Sequence, residues 1–176
     1  LIRASSFGPR KTFNSEGVKS TLVELRGDGS QTMIPPSVHP NGEALVFTSS
    51  NLKAPEVRYE DLLKSVNLLA ACSEIAQNWR EGHRHDLALA FAGLCLKQDV
   101  EHNLVTQIVQ RICDINGDLD VDDRLNAIRT SYAQSADSLL GYNGLVDCLG
   151  QSKAKRIADR IAADSGQEFS SDIAVM

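Results

Sequence analysis

The chain has 176 residues, a hydrophobic content of 42%, a formal net charge of −5 and a pI near 5.3. That length fits one domain or two small ones, with enough apolar residues for an ordinary core. The acidic balance argues against broad nonspecific binding to duplex DNA, which depends on a basic surface. No apolar run approaches the roughly 18 residues of a membrane helix and no signal-peptide pattern opens the chain, so we expect a cytoplasmic protein without membrane contact.

A strand pattern in residues 22–25 opens the first informative segment. Residues 27–29, Gly-Asp-Gly, supply the positive-φ positions that a tight reversal needs. We expect the chain to return through residues 31–34, and a second turn at residues 39–42 to open a third strand at residues 44–48. These elements predict a small antiparallel β segment.

Two consecutive prolines interrupt this segment. Pro35 and Pro36 fix φ and remove two backbone donors, so they mark the end of regular strand pairing. They are expected to hold Ser37 and His39 in one geometry. Such a rigid loop is typical of segments that display side chains for binding or catalysis.

The segment resembles the end of the catalytic domain of bifunctional DNA primase/polymerases, in the primase-polymerase branch of the archaeo-eukaryotic primase superfamily. The family pattern is an acidic residue, x, Arg-Gly-x-Gly, a short apolar strand and then Pro-Pro-Ser-x-His-Pro-x-Gly. In this chain the pattern falls on Glu24, Arg26, Gly27, Gly29, Pro35, Pro36, Ser37, His39, Pro40 and Gly42.

The resemblance implies a role for each motif residue. Glu24 stands where the family has the third-motif acid, usually Asp, which helps to hold Mg²⁺ or Mn²⁺ beside the phosphates of the incoming nucleotide. The implied partners are DNA and nucleoside triphosphates. The resemblance places the following residues near the phosphates or the template strand: Arg26, Gly27, Gly29, Ser37 and His39.

Two family motifs are missing upstream of Glu24. Residues 1–21 contain one carboxylate, Glu16, and no histidine, so the first-motif Asp-x-Asp or Asp-x-Glu and the second-motif histidine are absent. Because the chain also begins at Leu1 rather than Met, we expect it to be part of a longer primase/polymerase that acts in replication of a phage, plasmid or mobile element. By itself it should be inactive, because one carboxylate cannot run two-metal nucleotidyl transfer.

Helical periodicity dominates the rest of the chain. The resulting fold class is α+β, with the β segment followed by a bundle of five or six helices. The first three predicted helices cover about residues 59–79, 84–97 and 100–115. A fourth begins at Asp122 or Asp123 and contains Leu125, Ile128, Tyr132 and Ala136. A short segment at 145–149 and a last helix at 153–163 follow. The predicted units are a catalytic-domain remnant at 1–52, a linker at 53–58, a helical domain at 59–165 and a flexible tail at 166–176.

The second predicted helix opens with a Gly-x-Arg-His sequence at Gly82 to His85. A similar sequence opens a Leu/Ala/Gly-rich helix in the helical unit of many primase-polymerases. Arg84 and His85 would lie at the helix N-terminus, where partial positive charge and free amides favour a phosphate, so they are candidates for nucleotide or nucleic-acid contact. The alternative is that both pair within the bundle, with Asp86, Glu81 or helix-end carbonyls.

Two further patterns resemble metal sites, but we expect neither of them to bind a metal. Asp114, Asn116 and Asp118 match the first EF-hand ligand positions, but Leu119 replaces the required glycine and Leu125 the bidentate acid. We expect a solvated acidic turn without calcium. The cysteines lack CxxC pairing and a histidine at ligand spacing, which predicts reduced, buried thiols and no zinc. They are Cys72, Cys95, Cys113 and Cys148.

Two other functions remain open. The helical bundle is a candidate noncatalytic module that couples a primase domain to a helicase or to its own copies. An unrelated hydrolase would use His39 with Ser37 or Asp28, but Ser-x-His adjacency is a poor nucleophile-base pair without an orienting third group.

The acidic loop generates a first prediction. Because it lacks the EF-hand glycine and terminal acid, the chain should bind calcium more weakly than about 10⁻⁴ M. Isothermal calorimetry measures this directly, with magnesium as the comparison ion. A tighter dissociation constant for calcium would contradict the interpretation.

Overall fold

The computed structural model describes residues 3–4, 8–15, 21–47, 56–134 and 140–162. In these residues a small β region precedes six helices, which confirms the predicted α+β, mainly helical fold. The strands are β1 (Arg3–Ala4), β2 (Lys11–Asn14), β3 (Thr21–Leu25) and β4 (Glu56–Val57). The helices are α1 (Tyr59–Gln77), α2 (Arg84–Lys97), α3 (His102–Asn116), α4 (Val121–Ala133), α5 (Gly141–Leu149) and α6 (Gln151–Ala162).

Strands β2 and β3 form an antiparallel ribbon. Thr12 pairs with Glu24 and Phe13 with Val23, and the register shifts after Phe13. Strand β1 pairs with β4 in parallel. The strand expected at residues 22–25 is therefore confirmed, but its partner is the upstream β2, which the sequence interpretation missed.

The other two predicted strands are wrong within the described residues. Residues 31–34 have no strand, and residues 44–47 have only the isolated bridge from Val38 to Ala44; Thr48 lies outside the described part. The physical reason is local closure. After the prolines, residues 37–45 bond to one another, with His39 N donating to Glu43 O at 2.7 Å and Leu45 N to Ser37 O at 2.9 Å. These groups are then unavailable to a larger sheet.

The predicted helices are confirmed, with shifts at their ends. Helix α2 has the predicted bounds, whereas α1 ends at Gln77 and α5 begins at Gly141, four residues before the predicted short segment. Helix α3 ends where Gly117 takes a left-handed conformation with φ of 60°, the usual glycine stop. Ala136, expected in the fourth helix, and the tail at 166–176 lie outside the described residues.

Helix α2 is the centre of the bundle. It is apolar on every side, and Leu87, Phe91 and Leu94 are fully buried, as expected of a helix enclosed by others. It packs against α4 and α5. A Cβ on Gly144 of α5 would lie 2.9 Å from the Cβ of Ala90, so this crossing needs glycine at that position.

A buried carboxylate joins α1 to α6. Glu74 is fully buried, and Arg156 of α6 donates to it from Nη2 at 2.5 Å. Arg160, one turn further along α6, donates from Nη1 to the other oxygen at 2.8 Å. Because removing one member of such a group leaves a buried charge unpaired, these contacts define how the two helices pack.

Arg160 extends this ion-pair cluster to the β ribbon. Its Nη2 donates to Asn14 O of β2 at 2.8 Å, and its guanidinium carbon lies 5.9 Å from the centre of the Phe13 ring. Strand β3 also packs against α1. The ribbon is therefore attached to the bundle, although the predicted linker at 53–58 separates them along the sequence.

The four cysteines are free thiols, as predicted. Cys72, Cys95 and Cys113 are buried, and Cys148 is half-buried. Burial raises the pKa of Cys72 to about 12 and that of Cys113 to about 11, so these thiols are protonated at neutral pH. Among the described helices, none has the length and apolar content needed to cross a membrane.

The attachment of ribbon to bundle generates a second prediction. A chain lacking residues 1–55 should keep its helical circular dichroism spectrum, because the bundle buries its own core. It should lose about 2 kcal/mol of unfolding free energy relative to the full chain, since Arg160 loses its bond to Asn14 and its ring contact. Urea unfolding of both chains measures this difference. A disordered spectrum would show that residues 59–162 do not fold alone.

Candidate functional site

Glu24 is paired on both carboxylate oxygens. Arg26 Nε donates to Oε2 at 3.0 Å, and Arg10 Nε lies 2.5 Å from Oε1 as an ion pair without the alignment of a hydrogen bond. Strand β3 carries Glu24, and β2 brings Arg10 beside it through the Thr12–Glu24 pairing. Arg10 was missed from the sequence because β2 was not recognised; the Thr-Phe pair in KTFN was the available signal.

The arginines keep Glu24 ionised. The hydrogen bond from Arg26 is the main cause that lowers the pKa of Glu24; burial opposes it, and the charge of Arg10 adds to it. Both arginine side chains remain partly exposed, with 47% of Arg26 and 62% of Arg10 accessible. They can therefore exchange Glu24 for another anion without unfolding the ribbon.

Arg26 also closes the loop after β3. Its Nη1 donates to Gln31 O at 2.8 Å and to Thr32 Oγ1 at 3.0 Å, while Ser30 N donates to Gly27 O at 3.1 Å. One side chain thus neutralises Glu24 and shapes the turn beside it. A lysine at this position would lack the planar set of donors that makes both contacts.

The two motif glycines serve different purposes. A Cβ on Gly27 would lie 2.0 Å from Gly8 O, so this glycine allows two chain segments to approach closely. Gly29 has φ of +75° and open space around it, so it satisfies the turn and leaves the backbone uncovered. Gly27 therefore permits a close approach to another segment of the chain itself.

These residues line an open cleft of about 460 Å³. It brings together three of the predicted site residues, Glu24, Arg26 and Gly29, and adds Arg10 and Asp28. Gln31 and Ser30 complete the lining. Two guanidiniums and two carboxylates give a cleft of mixed charge, which suits a ligand that carries phosphate more than a purely apolar one.

Ser37 and His39 do not line this cleft; they belong to the local loop at residues 37–45. His39 is exposed, and its Nδ1 accepts a bond from Asn41 N at 3.3 Å. Among the described residues, no hydrogen bond joins the Ser37 hydroxyl or Asp28 to the His39 ring. This arrangement does not support the hydrolase alternative, which needs the base within reach of its nucleophile.

A divalent cation at Glu24 does not fit the described residues. Both carboxylate oxygens face guanidinium groups, and the described part of the chain contains no group of three His, Cys, Asp or Glu side chains suited to a metal. A two-metal site needs several carboxylates at once. Mg²⁺ or Mn²⁺ therefore stays a prediction that depends on carboxylates outside this cleft.

Arg84 and His85 both pair with carboxylates of the bundle, Arg84 with a buried one and His85 with an exposed one. Arg84 Nη1 lies 3.2 Å from Asp118 Oδ1, and His85 Nδ1 lies 2.7 Å from Asp123 Oδ2. The sequence interpretation named Asp86 and Glu81 as internal partners, but the partners come from the loop and helix that follow α3. These partners were not predicted from the sequence, because His85 and Asp123 are 38 residues apart in the chain.

Asp118 is the centre of this second cluster. It accepts bonds from Trp79 Nε1 at 2.9 Å and Arg124 Nε at 3.1 Å, and its side chain is 1% exposed. The prediction of a solvated acidic turn is therefore wrong at Asp118. Its carboxylate turns inward because hydrogen bonds from Trp79, Arg124 and the backbone N of Asp120 offset its desolvation, and Arg84 adds an ion pair.

Burial and hydrogen bonding act in opposite directions on Asp118. Desolvation raises the pKa of its carboxyl, but the bonds from Trp79 and Arg124 outweigh it, so the net pKa is lowered. Calcium would have to displace both arginines to reach these oxygens. The EF-hand spacing in the sequence therefore does not correspond to an accessible set of ligands, and the absence of calcium binding stays a prediction.

Comparisons with protein-family models, with curated proteins and with solved structures find no match to the chain. The resemblance to primase-polymerases therefore rests on the motif residues themselves. Some of the residues that carry the resemblance lie in the cleft at Glu24, and others lie in the cluster at Asp118.

The Asp118 cluster generates a third prediction. Asp118→Asn should lower the free energy of unfolding by about 3–5 kcal/mol, because Arg84 and Arg124 lose the buried carboxylate that they share, and only the more exposed Asp120 and Asp123 still pair with Arg124. The folded pKa lies below the unfolded value of about 3.9, so the contribution of Asp118 is present above about pH 4 and is lost as pH falls through the folded pKa. The variant should therefore lose less stability than the wild type on acidification.

Urea unfolding followed by the fluorescence of Trp79, the single tryptophan, measures both effects. Asp122→Asn is the control, because Asp122 is exposed in the first turn of α4, which follows the loop that carries Asp118. A loss below about 1 kcal/mol for Asp118→Asn would contradict the proposed role of the cluster.

Proposed function

We propose that this chain supplies the third-motif edge and the following helical domain of a DNA primase/polymerase, which acts in replication of a phage, plasmid or mobile element. The observation that supports it is the cleft in which Arg10 and Arg26 flank Glu24 beside the glycine turn. The residues that match the family motif there share one surface with an arginine that the motif does not include.

The arginines would recognise the phosphates of a nucleoside triphosphate or of the DNA backbone. Guanidinium groups bind phosphate oxygens through paired, charge-assisted bonds, and both are exposed enough to do so. An incoming phosphate would compete with Glu24 for Arg26 and Arg10. Glu24 then acts as a resident anion that keeps the guanidiniums oriented until the nucleotide arrives.

By itself the chain should not catalyse. The first-motif carboxylates, which would position the 3′ hydroxyl against the α-phosphate, are absent from the sequence. Lost positioning alone accounts for about 7–11 kcal/mol of barrier.

A second candidate function is a noncatalytic helical module that couples the primase domain to a helicase or to another copy of itself. The observation that favours it is the internal pairing of Arg84 with Asp118 and of His85 with Asp123. These predicted nucleic-acid contacts are engaged in stabilising the bundle. Under this alternative, the helices assist replication without touching DNA at that turn.

Nucleotide incorporation tests the first proposal. With labelled deoxynucleotides, single-stranded template and Mn²⁺, this chain should make and extend no primers, whereas the full-length parent should do both. Glu24→Gln in the parent should lower the rate at least about 10²-fold, because the variant loses the negative charge that orients both arginines and serves the third motif.

Glu43→Gln is the matched control, because Glu43 is an exposed carboxylate in the same segment and lies outside the cleft. Its rate should equal that of the wild type. Incorporation by this chain alone would reveal a complete site within it, and an unimpaired Glu24→Gln parent would remove Glu24 from the reaction.

A further inference from the structure

A second cavity, of about 230 Å³, lies where the end of α1, the turn at residues 80–83 and helices α2, α5 and α6 meet. Three side chains that can donate to an anion line it: Arg80, His83 and Lys153. The apolar part of its lining is Leu87, Cys148 and Leu149. Among the described residues, no carboxylate lines this cavity.

The local backbone brings two of the donors together. His83 N donates to Arg80 O at 3.2 Å, and Gly82 between them has φ of +85°, which a side chain at that position would disfavour. The Arg80 and His83 side chains are exposed, and neither makes an ion pair or a hydrogen bond to another side chain of the described residues. The turn therefore presents both toward the cavity without a bound partner.

Lys153 is held in place by a neutral group. Its Nζ donates to Asn78 Oδ1 at 2.9 Å, and Asn78 Nδ2 in turn donates to Glu74 O at 2.7 Å. These bonds orient the ammonium group without cancelling its charge. An ammonium carries three donors, so two remain for a ligand.

This cavity differs in charge from the other sites where arginines gather. There, the carboxylates Glu24, Asp118 and Glu74 each form ion pairs with two guanidiniums. Arg80 and Lys153 have no such counter-ion in the cavity, although the whole chain has a net charge of −5. A concavity whose cationic side chains lack a bonded carboxylate is a candidate site for an external anion.

We propose that this cavity binds a phosphate group carried by a nucleotide or by the backbone of single-stranded nucleic acid. Arg80, His83 and Lys153 would hold the phosphate oxygens, and the apolar lining would contact the adjoining sugar or base. The cavity is smaller than the roughly 300 Å³ at which pockets enclose a drug-sized ligand, so it encloses the phosphate and leaves the rest of the ligand outside. The site lies apart from the Glu24 cleft and goes beyond the proposed function.

Two nearby carboxylates limit the affinity. Burial is the main cause that raises the pKa of the Cys148 thiol, and the charges of Asp86 and Asp147 raise it further, so both lie close to the cavity. Neither lines it. We expect dissociation constants weaker than about 1 μM, in a range that depends strongly on salt.

Fluorescence anisotropy at low salt tests the site with two probes, a fluorescent deoxynucleoside triphosphate and a labelled oligo(dT) strand, with inorganic phosphate as competitor. Arg80→Ala should weaken binding about tenfold for whichever probe the site takes, since a charge-assisted contact is lost. Arg111→Ala is the matched control, because it removes an equal, exposed charge on α3, away from the cavity. Binding of the nucleotide but not the strand identifies a nucleotide site, and the reverse identifies a backbone site.

Alkylation of Cys148 provides a local measurement, because the other three thiols are buried. Bound probe should slow labelling of Cys148, followed by mass spectrometry, and Arg80→Ala should raise about tenfold the probe concentration that gives half of this protection. The proposal is overturned if neither probe binds, if Arg111→Ala weakens binding as much as Arg80→Ala, or if a saturating probe leaves the labelling rate unchanged.

Discussion

The rest of the structure depends on one buried carboxylate. Glu74 is fully enclosed, and its two oxygens are shared between Arg156 and Arg160 of the last helix. Burying the charge of Glu74 is costly unless it is paired and oriented, so this contact favours the observed packing of α1 against α6. Arg160 then reaches the backbone of Asn14, which makes the position of the β ribbon depend on the same contact. Packing of the bundle and placement of the Glu24 cleft are therefore linked physically.

A carboxylate paired with two arginines also occurs at Glu24 and at Asp118, with different consequences. At Asp118 the carboxylate is buried and its arginines are held within the bundle, which suits a structural role. At Glu24 the arginines are exposed and can exchange partners, which suits a cleft that receives an anion. Exposure, more than residue type, separates a stabilising ion pair from a binding one, because solvent offsets the loss of a partner at the surface.

The segment that follows β3, residues 31–47, leaves apolar side chains uncovered. Met33, Ile34, Val38, Val46 and Phe47 are all exposed within 15 residues of one another in the chain. A segment of that composition normally contributes to a larger core. The observation agrees with the proposal that this edge belongs to a larger catalytic domain. Because Arg160 of α6 bonds to Asn14 of the ribbon, a displacement of the ribbon would also displace this contact with the bundle.

Periodicity in the sequence determined the helices, because apolar residues at three- and four-residue spacing need only local geometry to define a buried face. The strand at Glu24, the glycine turn and the buried thiols followed from equally local rules. The missed strand β2, the absent third strand and the partners Arg10, Asp118 and Asp123 depended on contacts between residues far apart in the chain. The acidic loop shows the difference most clearly: its composition predicted a solvated turn, yet Asp118 faces inward because Trp79, Arg84 and Arg124 reach it from other elements. Only the tertiary structure decides which charges meet, since the energy of an ion pair depends on distance and burial that no local pattern encodes.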